Sequence, residues 1–189
     1  FIPQRNTAGI LKIHNLYPPC TSEIVKKVLP RLKQEAPLIL DLRNCSEGDV
    51  EEARQLMNIF IKAEKVGYFE KKGGLQVPLA CRKNAPLESL SLVIWTNRAT
   101  LGPAEMVAAV LREFKKSKII GLPTAGLAAK QELFSLEDGS GLLLTSGVFM
   151  LNSGTKVWGR GVLPDEKVEE SDQSTASYLQ KTLALASKL

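Results

Sequence analysis

The chain has 189 residues, 44% of them hydrophobic and 24% charged, enough apolar material for one domain with a sizeable core and too much for a disordered chain. The formal net charge of +5 comes from 25 Lys and Arg against 20 Asp and Glu, scattered in pairs such as Lys26-Lys27, Lys71-Lys72 and Lys115-Lys116. Such pairs, without interleaved aromatics, read as a solvated surface and speak against a nucleic-acid partner.

Residues 9–14 (GILKIH) alternate like a strand. Thr21, Ser22 and Glu23 offer caps for a helix whose apolar face would be Ile24, Val25, Val28, Leu29 and Leu32. Residues 37–42 (PLILDL) are a short apolar run, the pattern of a buried parallel strand, and end in a polar loop, 43–48 (RNCSEG). A second helix follows, with Ala53, Leu56, Met57, Phe60 and Ile61 inward. Residues 66–69 and 75–80 form two predicted strands around Lys72-Gly73-Gly74.

Residues 90–96 are another buried strand, and 97–111 (NRATLGPAEMVAAVL) turn from it into a helix. At that helix start Gly102 suits the N-cap, Pro103 suits the first helical position, and Glu105 faces the positive end of the dipole. Residues 118–121 are a short strand entering the loop 122–128. Residues 133–136 and 142–150 read as antiparallel strands, and Asn152-Ser153-Gly154 as a turn. After Pro164-Asp165 comes a polar stretch, then a last helix from about Ser174, with Tyr178, Leu179, Leu183 and Leu185 free to pack or to mediate self-association. Strand-helix-strand repeats imply right-handed parallel crossovers. The expected fold is therefore α/β, a mixed and mostly parallel sheet with crossover helices, in one domain spanning residues 1–189.

The single histidine, His14, is expected to be a partly buried structural residue, since no partner for it can be named. Cys20, Cys45 and Cys81 form no CxxC pair, so no metal site and no cofactor is expected. No apolar run approaches the roughly 20 residues of a membrane span, and no basic, apolar leader is seen. The first residue is Phe1, which reads as a processed or excised piece.

Four segments carry a family resemblance: LILDLRNCSEG, LVIWTNRATLGPAEMVAAVL, IIGLPTAGLAAKQ and LNSGTKVWGRGVLPD. In that order they resemble the catalytic core of the C-terminal processing peptidases, or tail-specific proteases, whose text runs close to LILDLRNNPGG, LVNRGTASASEIVAGAL, IVGERTFGKGSVQ and GKGIEPD. The resemblance covers about residues 9–165. It implies a ClpP/crotonase-like core, a serine nucleophile at a helix start, a lysine base, and backbone N–H groups holding the oxyanion. It also implies peptide or protein segments as partners, bound partly by strand addition. A bacterial periplasm, cell envelope or organelle lumen would be the family's setting, and a homo-oligomer is open. The family's PDZ domain does not fit before Gly9.

Laid onto this chain, the family's serine falls on Gly102 and its lysine on Leu127, 25 residues apart as in the family. Its glycine pair falls on Glu47 and Gly48, with Ser46 in place of proline. Gly102 has no nucleophilic atom, Leu127 moves no proton, and Glu47 puts negative charge where an oxyanion would form. The frame of the groove remains: Asn44, Cys45, Glu47, Gly48, Thr100, Glu105 and Gln131 are its candidate lining. Two readings follow. One is a non-catalytic pseudopeptidase that binds peptide or protein partners. The other is an active serine-type peptidase using displaced residues, with Thr100 or Cys45 as candidate nucleophiles. Lys130, three positions past Leu127, would turn to the opposite face if that segment were a strand.

Overall fold

The computed structural model describes residue 2 and residues 9–32, 36–81 and 84–186. In chain order its elements are β1 (Gly9–Lys12), α1 (Cys20–Glu23), β2 (Leu38–Asp41), α2 (Val50–Phe60), β3 (Ala63–Glu70), β4 (Gln76–Cys81), β5 (Leu92–Thr96), α3 (Pro103–Lys115), β6 (Lys118–Gly121), β7 (Ala129–Ser135), β8 (Gly141–Leu151), β9 (Glu166–Lys167) and α4 (Thr175–Ala186).

Why the short apolar runs sit at the centre follows from what covers them. Five strands form a parallel sheet in the order β1-β2-β5-β6-β9. The alternation of side chains divides each strand between two layers. Leu38, Leu40, Leu92, Ile94 and Ile119 face the larger core with the apolar sides of α2 and α3. Ile10, Ile39, Val93, Trp95 and Ile120 face a smaller core closed by Tyr178 of α4. A strand covered on both faces must be apolar throughout, so LILD and LVIWT carry no polar alternation.

The α/β class with crossover helices is as the sequence implied. The antiparallel strands, however, do not extend the parallel sheet. They form a second sheet of their own, in the order β4-β3-β8-β7. Its strands outrun their sequence signals: β7 begins at Ala129, four residues before the apolar stretch 133–136. The far end of the β7–β8 hairpin leaves Leu133, Phe134, Leu142, Leu143 and Leu144 exposed. The polar stretch after Pro164 contributes the two-residue β9, which apolar patterning cannot reveal. The first predicted helix starts at Cys20, before its expected caps, and then winds unevenly through a π turn (Ile24–Val28) and a 3-10 turn (Leu29–Arg31). Pro30 lacks an N–H and so cannot extend a regular helix. Val25 is exposed rather than inward, and His14 is also exposed, in the bend after β1. Its neighbours Ile13 and Leu16 are buried, and the bend turns His14 outward between them.

One buried ion pair ties α4 to the sheet. Arg43 Nε and Nη2 donate to Asp41 Oδ1 and Oδ2 at 2.8 and 2.7 Å. The guanidinium stacks over Trp95 and Tyr178, 4.8 and 4.4 Å from their ring centres. It also donates to Gln173 O and Thr175 Oγ1 at the start of α4. The Tyr178 hydroxyl donates to Thr96 O at 2.8 Å, and Trp95 Nε1 donates to Thr182 Oγ1 at 2.9 Å. The last helix thus packs on the core. Tyr178→Ala should lower stability by about 3–5 kcal/mol, whereas Tyr178→Phe, which loses one hydrogen bond, should cost about 1 kcal/mol. Urea unfolding of the two variants checks the ratio.

Candidate functional site

Parallel strands in one sheet send their loops out at the same edge, and that edge is where α/β folds place ligands. Here the loop after β2 (43–48), the turn after β5 (97–102) and the loop after β6 (122–128) converge there. They bound a cleft of about 350 Å³ lined by Glu47, Gly48, Gly102, Leu127, Lys130 and Trp158, among others.

Gly102 starts α3 with φ 54° and ψ −117°, a conformation that costs any residue with a Cβ. Space is not the constraint. A Cβ added there would meet nothing nearer than Leu127 O at 3.8 Å. Sharp strand-to-helix turns of this kind present a nucleophile in several hydrolases. The position aligned with a serine and the position aligned with a lysine are therefore neighbours across the cleft. The Leu127 side chain is 48% exposed.

Glu105 holds this arrangement. Its carboxylate is 0% exposed and accepts four hydrogen bonds. Oε2 accepts from Gly102 N–H at 3.0 Å and Leu127 N–H at 2.6 Å. Oε1 accepts from Gly126 N–H at 2.6 Å and the Thr124 hydroxyl at 2.5 Å. The same hydroxyl accepts from Val162 N–H at 2.8 Å. The helix start thereby gains a negative charge at its positive end, and the loop 122–128 is fixed against it. Gly126 and Gly161 complete the contact. A Cβ on Gly161 would lie 2.4 Å from Thr124 O, and one on Gly126 2.9 Å from Gly161 N.

A second network closes the other side. Asn97 Oδ1 accepts from Asn44 N–H and Ala99 N–H, both at 3.1 Å, and Asn97 Nδ2 donates to Asn44 Oδ1 at 2.9 Å. The Thr100 hydroxyl donates to Leu42 O and accepts from Asn97 N–H. It is 0% exposed and fully engaged, so it cannot reach a substrate in the cleft. Cys45 is equally buried, and burial pushes its thiol up to about 12. A thiol that stays protonated at neutral pH is a poor nucleophile. Thr100, Cys45 and Glu105 therefore support the groove from behind, Asn44 is exposed but outside the cleft lining, and Glu47, Gly48 and Gln131 line it.

The family model for peptidase family S41 matches residues 7–168. The chain belongs to peptidase family S41. It is 27% identical over 169 residues to a probable CtpA-like serine protease of Staphylococcus saprophyticus, covering 88% of this chain and 32% of that protein. It is 26% identical over 163 residues to a carboxyl-terminal-processing protease of Picosynechococcus, covering 86% and 39%. The chain thus spans about a third of the length of the curated relatives it matches. Among solved structures, its fold is similar to that of a photosystem II D1 C-terminal processing protease, with a TM-score of 0.79 at 22% identity over 91% of this chain and 45% of that one. A lipoprotein from Streptococcus agalactiae gives 0.77 at 22% identity, over 97% and 67%.

Three features of this S41 cleft escaped the reading from sequence. When a nucleophile starts a helix, the N–H of the next residue is a common oxyanion donor. That residue here is Pro103, which has no N–H. Its fit to the first helical position masked this second consequence. Lys130 does line the cleft, contrary to the parity argument. Leu127 lies before β7, which begins at Ala129, so strict strand alternation does not run from 127 to 130. Lys130 Nζ is held by Glu132 at 2.8 Å. Tyr17 and Trp158 join the lining from distant parts of the chain.

Gly102→Ala should cost about 1–2 kcal/mol from backbone strain alone. Glu105→Gln should cost at least about 2 kcal/mol, because an NH₂ would face two buried N–H or O–H donors. Chemical unfolding with near-ultraviolet monitoring checks both. Burial also pushes Cys20 and Cys81 up to about 11. Raised thiol values favour the protonated, folded form, so that stability is present below the ordinary pH 9.0 and lost as pH rises to about 12. Denaturation midpoints measured from pH 8 to 11 should fall, and replacing Cys45 by Ala should flatten the decline.

Proposed function

We propose that this chain is a non-catalytic S41 domain that binds extended peptide or protein segments in the cleft between Gly102 and Leu127. One observation carries the reading: no nucleophilic or titratable side-chain atom exists at either residue, although the backbone that would present them is held by four hydrogen bonds to Glu105. Pro103 and Glu47 oppose an oxyanion in the same cleft. Binding needs none of that chemistry. β7 is an edge strand of the second sheet, and its first residues, Ala129, Lys130 and Gln131, line the cleft. An extended segment laid beside β7 gains backbone hydrogen bonds without losing any. Self-association, which the family resemblance also raises, would bury the apolar end of the β7–β8 hairpin.

The alternative is hydrolysis by displaced residues. With Thr100 and Cys45 buried, it would have to rest on groups such as Ser46 and Lys130, an aliphatic hydroxyl and an amine in the cleft lining. Cleavage of an unfolded protein substrate separates the two readings. The unaltered chain should leave it whole. The Gly102→Ser, Leu127→Lys variant should regain little, since each missing oxyanion donor costs about 10²–10³ in kcat. Cleavage by the unaltered chain that Ser46→Ala or Lys130→Ala abolishes would establish the alternative.

A further inference from the structure

The cleft has a charge opposite to that of the molecule around it. The chain carries +5 overall, yet the cleft lining holds Glu47 and Asp49 on one side, and its one cation, Lys130, is neutralised by Glu132. Asp49 spends one carboxylate oxygen capping α2, accepting from Glu51 N–H and Glu52 N–H. Glu47 is exposed, and its carboxylate has no hydrogen bond or ion pair among the described residues. Its place is fixed all the same. Its own carbonyl accepts from Leu16 N–H at 2.9 Å, and Gly48 beside it is packed so closely on Leu16 that a Cβ there would lie 2.5 Å from Leu16 Cβ. A carboxylate on a rigid loop, at the mouth of a concave site and without a partner, attracts positive charge and repels negative charge.

The aromatic lining points the same way. Tyr17 and Trp158 border the same cleft, and their ring faces favour cations. Leu101, Pro103, Leu127 and Val50 supply apolar walls for a long aliphatic stem. Carboxylates at the rim, aromatic rings and apolar walls together match a lysine or arginine side chain. They do not match the free carboxylate of a chain end, because among the described residues no unpaired cation lines the cleft, and Pro103 presents no N–H.

We propose that this cleft selects an internal, extended segment carrying a lysine or arginine side chain, and rejects acidic side chains and chain-terminal carboxylates. The inference rests on the groove-binding reading above and adds the chemistry of the occupant to it. Glu47 is the residue that sets the choice.

The test is fluorescence anisotropy with short labelled peptides, blocked at both ends and identical except for a central lysine, methionine or glutamate. The lysine peptide should bind about ten-fold tighter than the glutamate peptide, as one charge contact with an added aromatic contact would give. Added salt should narrow that gap. Glu47→Gln, whose fold is checked by circular dichroism, should weaken the lysine peptide severalfold and affect the methionine peptide much less. Glu47→Lys should reverse the order of lysine and glutamate. Equal binding of all three peptides, or a preference for glutamate, would overturn the charge assignment while leaving groove binding in place. Failure of all three to bind would overturn the groove reading and this inference together.

Discussion

The carboxylate of Glu105 is the constraint on which the rest of the site depends. It lies out of contact with water and has no ion pair among the described residues, and four donors from two chain segments, the start of α3 and the loop 122–128, converge on it. A buried charge is tolerable only when its lone pairs are taken up, and here each oxygen accepts twice. That requirement fixes the start of α3, the loop 122–128 and, through the Thr124 hydroxyl, the segment at Val162. The cleft is the space left when these pieces are locked. Its shape therefore does not depend on whether residues 102 and 127 carry reactive groups. A site can lose its chemistry while the interactions that shaped it persist, because the two are carried by different residues.

Catalytic positions often hold strained backbone, which the surrounding structure must stabilise. The turn at Gly102 keeps such a backbone, and glycine is the residue that occupies it at least cost. A glycine there avoids the strain that a Cβ would add, and the Glu105 network does not involve its side chain. Proline at 103 is likewise favourable to the helix and unfavourable to an oxyanion. Both residues favour the stability of the helix start. Glu47 adds a charge that an acyl-transfer site would reject and a binding site for a cationic segment would use.

How far the sequence revealed this depended on whether neighbours or chain order decided the outcome. The runs in β2 and β5 were legible because burial on both faces demands unbroken apolar residues. The helix start at Gly102 was legible because capping is local. Family order carried the position of the cleft. What escaped were properties set by geometry across the chain. Lys130 was assigned to the wrong face because parity was counted through residues 127 and 128, which are not in the strand. The exposure of His14 and the engagement of the Thr100 hydroxyl depend on what packs above them, which no local pattern reports. The antiparallel strands were found, but their separation into a second sheet was not, since strand signals do not say which sheet a strand joins. Tyr17 and Trp158 lie far apart in sequence and meet only in the folded cleft.

A cleft that binds a segment without cutting it has a direct signature in solution. The most direct measurement is a titration of the isotope-labelled chain with a blocked, lysine-containing extended peptide, following amide resonances and peptide mass in the same sample. Shifts should concentrate at Gly48, Gly102, Leu127, Lys130 and Gln131, with the peptide mass unchanged after prolonged incubation. Cleavage of the peptide, or shifts confined to residues away from the cleft, would contradict binding without cleavage.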